Sequence, residues 1–192
     1  MKKITIKSPA KINFGLNIVS KREDGFHNLE TIFYPISLCD LMIFEKSDSF
    51  YFETDSEELN TTLKDNLIMK SVKLMEQASR KKINVRIRLE KYMPIGAGLG
   101  GGSSNAATTM VSLNELLHLN ISTEKMKELA LKIGSDVPFF FKPKPFYAEG
   151  RGEILNRINF NITKPILLVN PNIHISTKWA YSLVTPKKSD VD

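Results

Sequence analysis

Cysteine is nearly missing from this chain: Cys39 stands alone among 192 residues, so no disulfide can close within it and no cysteine cluster can hold a metal. A single thiol of this kind reads as a small core side chain rather than a nucleophile. The three histidines and the carboxylates nowhere fall at metal-ligand spacing, which leaves no metal site belonging to the chain itself. No apolar run approaches the ~18 residues that a membrane span requires. The basic start Met1-Lys2-Lys3 passes into an alternating strand pattern rather than the apolar block of a signal peptide. A soluble, cytoplasmic protein is expected, with no membrane partner. Repeats and low-complexity stretches are lacking as well. The net charge of +6 is spread along the chain without a basic block long enough for a nucleic-acid arm, so small anionic ligands suit it better than nucleic acid does. What remains is an ordinary globular composition, 42% hydrophobic and 25% charged, long enough for one large domain or one and a fraction.

Glycine is scarce too, but unevenly so. Five of the ten glycines fall within seven positions, Gly96, Gly98, Gly100, Gly101 and Gly102, inside the stretch Pro94-Ile95-Gly96-Ala97-Gly98-Leu99-Gly100-Gly101-Gly102-Ser103-Ser104. Before it, Asn84 to Glu90 alternates apolar and charged residues as a half-buried strand does; after it, Asn105 to Leu117 carries the spacing of a helix with one broad apolar face. Glycine permits positive φ and close backbone approach, and a helix start offers unpaired N–H groups at the positive end of its dipole. Phosphate is the natural occupant of such a strand, loop and helix. A Walker A loop is excluded, because no lysine stands between the last glycine and Ser103. Gly96, Gly98 and Gly101 fit G-x-G-x-x-G, yet another helix rather than a second strand follows Leu117, which weakens a dinucleotide fold. A plain tight turn is the bland alternative, and it needs one or two glycines rather than five.

Along the chain, residues 3–19 read as two extended pieces broken at Ser8-Pro9, followed by a turn at Lys21-Arg22-Glu23-Asp24-Gly25 and a strand over 29–37. Further strands are expected over 40–46 and 50–54, then a loop over 55–64, then a helix over 67–80 capped at Asp65-Asn66. Ser122-Thr123 opens a helix that Gly134 ends, and Asp136 stands between a glycine and the apolar run Val137 to Phe141. A hairpin around Gly150-Arg151-Gly152 and a buried strand over 165–169 complete the pattern.

Three motifs, Ser8-Pro9-Ala10-Lys11-Ile12-Asn13, Pro94 to Ser104 and Gly134-Ser135-Asp136-Val137-Pro138, together resemble the family of small-molecule kinases that includes galactokinase, homoserine kinase, mevalonate kinase and phosphomevalonate kinase. Within it, Lys11-Ile12-Asn13, Arg22 to His27 and Phe33 are most similar to the members of isoprenoid precursor biosynthesis that act on a cytidine diphosphate alcohol. The resemblance implies an α+β fold, with a ribosomal-protein-S5-like ATP-binding domain over 1–160 and the start of a ferredoxin-like C-terminal domain over 161–192. It implies ATP with Mg²⁺, and a small cytidine-bearing alcohol as phosphoryl acceptor. Lys11 and Asp136 would form the catalytic pair. Pro94, Gly96, Ala97, Gly98, Leu99, Gly100, Gly101, Gly102, Ser103, Ser104 and Asn66 would hold ATP. Asn13, Phe26, His27, Phe33 and Tyr181 would hold the other substrate, the rings offering π faces to a cytosine.

Plainer readings stand beside these. They are a helix cap for Asp136, a strand-edge surface charge for Lys11, core packing for the phenylalanines and a turn-capping role for His27. Family members are longer, so the chain resembles the N-terminal two-thirds of such a kinase. A homoserine- or mevalonate-type kinase, and a truncated nucleotide-binding protein that is no enzyme, remain the rivals. Nothing in the sequence fixes an oligomeric state.

Overall fold

The computed structural model describes residues 3–61, 66–173 and 175–186. Two long antiparallel strands form its spine: β1 (Lys3–Lys21) and β2 (His27–Lys46), joined by the tight turn over 22–26. Each was expected as two separate pieces. Instead the chain stays extended through Ser8-Pro9 and through 38–39, because β-bulges absorb the irregularity: the register shifts between Pro9 and Ala10, from Pro9↔Cys39 to Ala10↔Ile36, and again between Phe14 and Leu16 and between Ile18 and Ser20.

The other edge of β2 is shared between two partners. Its C-terminal end, Leu41 to Lys46, pairs with β4 (Val85–Glu90), and Thr31 to Phe33 pair with β5 (Phe146–Glu149), both antiparallel. β3 (Tyr51–Thr54) runs parallel to β4 on the outer edge, and β6 (Ile154–Arg157) closes the expected hairpin with β5. Helix α1 (Glu57–Thr61) occupies part of the stretch expected to be loop, started by Ser56 Oγ accepting from the Leu59 N–H. Helix α2 (Leu67–Ser79) is capped by Asn66, whose Oδ1 accepts from the Ile68 N–H at 2.9 Å, while Asp65, the other expected cap, lies outside the described residues. Helix α3 (Gly101–Leu116) begins four residues earlier than its apolar pattern suggests, so its first turn is made from the glycine run itself. Helix α4 (Thr123–Leu131) is capped by Ser122, and a short 3₁₀ helix, Val137–Phe141, follows. α5 (Thr177–Ser182) ends the described elements.

Strict alternation in β4 turns Val85, Ile87 and Leu89 toward the helices and leaves Arg86 and Arg88 outside. Together with Met42 and Phe44 of β2 they meet Ile68, Val72 and Met75 of α2 and Ala106, Ala107, Met110 and Leu113 of α3. Fully burying an aliphatic side chain here stabilises the fold by about 1.5–3 kcal/mol. The result is a mixed α+β architecture, one six-stranded sheet with helices packed over one face.

Two further expectations fail. Residues 165–169 form no strand and join no sheet among the described residues, and Leu167 and Val169 are 87% and 80% exposed, without the pairing and cover that a buried strand needs. Cys39 is half-buried rather than part of the core, since it sits at the bulge opposite Pro9. No helix among the described residues is long and apolar enough to cross a membrane.

Candidate active site

The glycine run leaves β4 as an irregular loop and becomes a helix without a side-chain cap. Gly96, Gly98 and Gly100 take φ of 70°, 73° and 72°, a region that costs a residue bearing Cβ ~1–2 kcal/mol. Gly100 is the αL residue from which α3 starts, and it is held there by packing: an added Cβ would lie 2.8 Å from Phe140 Cζ and 3.1 Å from Lys11 Cγ. Gly101, by contrast, is already helical, so it does not need positive φ.

Two cavities are lined by this loop. The smaller, about 510 Å³, is lined by all the residues expected at ATP except Ser104, with Lys91, Asn105, Leu59 and Leu67 added. Ser104 lies beneath the loop, fully buried, with its Oγ accepting from Ser8 Oγ at 2.8 Å. Asn66 lines the cavity as well, and while its Oδ1 caps α2, its buried Nδ2 has no hydrogen-bond partner among the described residues. The second cavity, about 1040 Å³, contains every other residue expected at a site, namely Lys11, Asn13, Phe26, His27, Phe33, Asp136 and Tyr181. Gly98 and Gly100 belong to both linings, so this part of the loop is a wall that the two cavities share.

Lys11 and Asp136 meet at that wall. The bulge after Pro9 breaks the alternation of β1 so that Ala10 and Lys11 are both buried, and the Lys11 N–H donates to the Leu99 carbonyl at 2.9 Å. The Lys11 ammonium donates to Asn13 Oδ1 at 2.6 Å, lies 3.4 Å from Asp136 Oδ2, and stands 4.8 Å from the centre of the Phe33 ring. Asn13 is fixed in turn by its Nδ2 donating to Thr31 Oγ1. Asp136 precedes the 3₁₀ helix as a cap would, but its side chain makes no capping hydrogen bond. Its carboxylate is free to accept from Lys11 and from a ligand. Lys11 is likewise no surface charge, being 6% exposed.

Away from the pair, the second cavity becomes aromatic. His27, the first residue of β2, packs its ring 5.3 Å from Tyr181 of α5. Burial pushes the Tyr181 phenol above its ordinary pKa, and the Asp136 carboxylate adds to the rise. Phe26 is 52% exposed at the turn. Phe33 differs: it is 2% exposed, edge-on to Phe139, with Lys11 over its face, and forms floor rather than an open stacking surface. Arg151, which sequence reasoning placed only in a hairpin turn, reaches this cavity and lays its guanidinium 4.7 Å from the centre of the Phe26 ring. Its Nε makes no hydrogen bond among the described residues, with Glu153 Oε1 3.8 Å away. The signal for it in the sequence was an arginine held between two glycines.

The GHMP kinases N terminal domain family matches residues 66–143. A 4-diphosphocytidyl-2-C-methyl-D-erythritol kinase of Thermodesulfovibrio yellowstonii is 40% identical over 184 residues, which is 96% of this chain and 64% of that protein. The enzyme of the same name from Citrifermentans bemidjiense is 38% identical over 195 residues, covering 100% of this chain and 70% of the relative. A crystal structure of 4-(cytidine 5'-diphospho)-2C-methyl-D-erythritol kinase superposes with a TM-score of 0.77 at 34% identity, over 95% of this chain and 65% of that one. The chain thus spans somewhat under two-thirds of the length of the first relative and of this structure.

Proposed function

Because the chain belongs to the 4-diphosphocytidyl-2-C-methyl-D-erythritol kinase family, we propose that it transfers the γ-phosphoryl group of ATP to the 2-hydroxyl of 4-diphosphocytidyl-2-C-methyl-D-erythritol, in non-mevalonate isoprenoid precursor biosynthesis. The observation that carries this reading is the Lys11–Asp136 pair, 3.4 Å apart, beneath the two glycines that line both cavities. ATP occupies the smaller cavity with its phosphates over the start of α3, where backbone N–H groups and the helix dipole favour negative charge. The unpaired Asn66 amide contributes a donor to it. The alcohol occupies the larger cavity. Its cytosine stacks on Phe26 and Tyr181 above the floor made by Phe33, with His27 at the hydrogen-bonding edge and Asn13 near the reacting hydroxyl.

Phosphoryl transfer asks chiefly for alignment and for stabilisation of moving charge. Asp136 accepts the proton of the substrate hydroxyl. Lys11, 3.4 Å from the Asp136 carboxylate, orients it and steadies negative charge as it shifts across the glycine wall. A Mg²⁺ ion brought by ATP would keep mostly phosphate and water ligands. Ser103, in the first turn of α3 and in the lining of the smaller cavity, is the side chain that would face the ion, and the ion would supply neutralising charge. The finer architecture belongs to the same proposal: an S5-like domain over 1–160 and the start of a ferredoxin-like one over 161–192, in a cytoplasmic enzyme.

Turnover assays with ATP and, in parallel, the cytidyl alcohol, homoserine and mevalonate test the substrate. Asp136→Asn is expected to lower kcat by ~10²- to 10⁴-fold while ATP affinity by calorimetry stays near its original value. Turnover within a few-fold of the unaltered chain overturns the general-base role, and ATP binding without turnover of any alcohol overturns the enzyme reading in favour of a nucleotide-binding protein.

A further inference from the structure

Asp40 is fully buried in β2, directly opposite Ser8 of β1. β4 stops pairing one residue away, at Glu90 opposite Leu41. The next three residues peel off the sheet toward the glycine loop, and their donors need new acceptors. Asp55 Oδ1 takes the Lys91 N–H at 2.9 Å, and Asp40 supplies the rest: its Oδ1 accepts from the N–H groups of Tyr92 and Met93, both at 2.9 Å, and its Oδ2 accepts from Lys91 Nζ at 2.6 Å. The same Oδ2 accepts from Asn105 Nδ2, at 3.0 Å, in the first turns of α3. One carboxylate therefore grips the chain on both sides of the loop, before Pro94 and after Ser104.

The grip extends through Ser8. Its Oγ accepts from Asn105 Nδ2 at 3.1 Å and Thr108 Oγ1 at 3.3 Å, and donates to Ser104 Oγ. Lys91 is held under the helix start, so that a Cβ on Gly101 would lie 3.2 Å from its ammonium, and Lys91 and Asn105 both line the smaller cavity. A buried ion pair whose remaining lone pairs are all satisfied is a device for fixing one geometry.

We infer that Asp40 is a positioning residue for the phosphate-binding loop, clamping its two ends so that the backbone N–H groups of Gly96 to Gly102 are arranged for the nucleotide phosphates before ATP arrives. The inference rests on the kinase reading above and deepens it. Asp40 touches neither substrate and acts through Lys91, Tyr92, Met93 and Asn105.

Asp40→Asn keeps the side chain's volume and an acceptor for Tyr92 and Met93, but turns an NH₂ toward the Lys91 ammonium and the Asn105 amide. Calorimetry with Mg-ATP is expected to show affinity weakened about tenfold or more in a variant that still melts cooperatively. Adding Asn105→Asp returns a carboxylate to the same meeting point from α3 and is expected to recover most of that loss, a rescue that a merely space-filling role would not give. A folded Asp40→Asn that binds ATP within twofold of the unaltered chain overturns the inference alone. An unaltered chain that binds no ATP overturns the kinase reading and this inference with it. If Asp40→Asn does not fold, hydrogen exchange in the unaltered, nucleotide-free chain decides: the Tyr92 and Met93 amides are expected to be as slow as those of β4, and exchange at the rate of open loop amides overturns the clamp.

Discussion

Gly100→Ala isolates what the loop needs from its glycines. Two costs combine there. Holding an alanine at φ 72° costs ~1–2 kcal/mol, and the new methyl would sit 2.8 Å from Phe140 Cζ and 3.1 Å from Lys11 Cγ. Phe140 has little room to retreat, because it is edge-on to Phe139 at 4.9 Å, which is itself edge-on to Phe33 at 5.3 Å. Overpacking of this kind adds about 1–3 kcal/mol. Gly98→Ala is the control, since Gly98 has φ 73° but open space where its Cβ would go, leaving the strain alone. At roughly 2–4 °C per kcal/mol for a chain of this size, Gly98→Ala is expected to melt about 2–8 °C below the unaltered chain. Gly100→Ala should melt a further ~2–12 °C lower on the same scale. Melting followed by circular dichroism on both variants, with calorimetric ATP binding alongside, reads the two costs separately. Equal melting temperatures would refute the packing argument and leave only backbone conformation to explain Gly100.

His27→Ala is expected to raise the Michaelis constant for the cytidyl alcohol roughly 5- to 150-fold, the loss of one buried hydrogen bond of ~1–3 kcal/mol, with the constant for ATP little changed; steady-state kinetics with both substrates varied checks it, and equal shifts would move His27 out of the substrate site. Tyr181 is expected to ionise later than an ordinary tyrosine in an ultraviolet titration compared with Tyr181→Phe, since burial and then Asp136 both raise its pKa. A group whose folded pKa is raised stabilises the fold fully below its unfolded pKa, about 10 for tyrosine, and loses that contribution as pH rises toward the folded value. The unaltered chain should therefore lose more stability than Tyr181→Phe above that pH.

Local signals reached the site's parts but not its supports. The glycine cluster, the Lys11 segment and the lone acid before Val137-Pro138 were legible because each departs from its surroundings within a few residues, and the structure gathers them around one loop. Bulges were not legible: Ser8-Pro9 looks like an interruption in sequence, whereas Pro9 fits a strand wherever its missing N–H faces an irregularity. The start of α3 was misread for a related reason, since Gly101 to Ser104 have poor helix propensity, and the buried bonds from Ser8 and Asp40 override it. Asp40 itself gave no sign. An acid at the end of one strand and an asparagine 65 residues later look like two surface residues until the sheet brings them together.

The contacts that shape the glycine loop are also among the most distant along the chain, with Ser8 and Ser104 separated by 96 residues and Asp40 and Met93 by 53. Pairings of such span close late in folding, because the entropy of ordering the intervening chain is lost before the contact rewards it. α2 and α3 can gather their local turns early, but the loop between β4 and α3 takes its final shape only when β1 has zipped onto β2 and delivered Ser8, Lys11 and their partners beneath it. On the kinase reading, the phosphate cradle is therefore expected among the last parts of the fold to form, so that a partly folded chain would carry the glycines without the cradle.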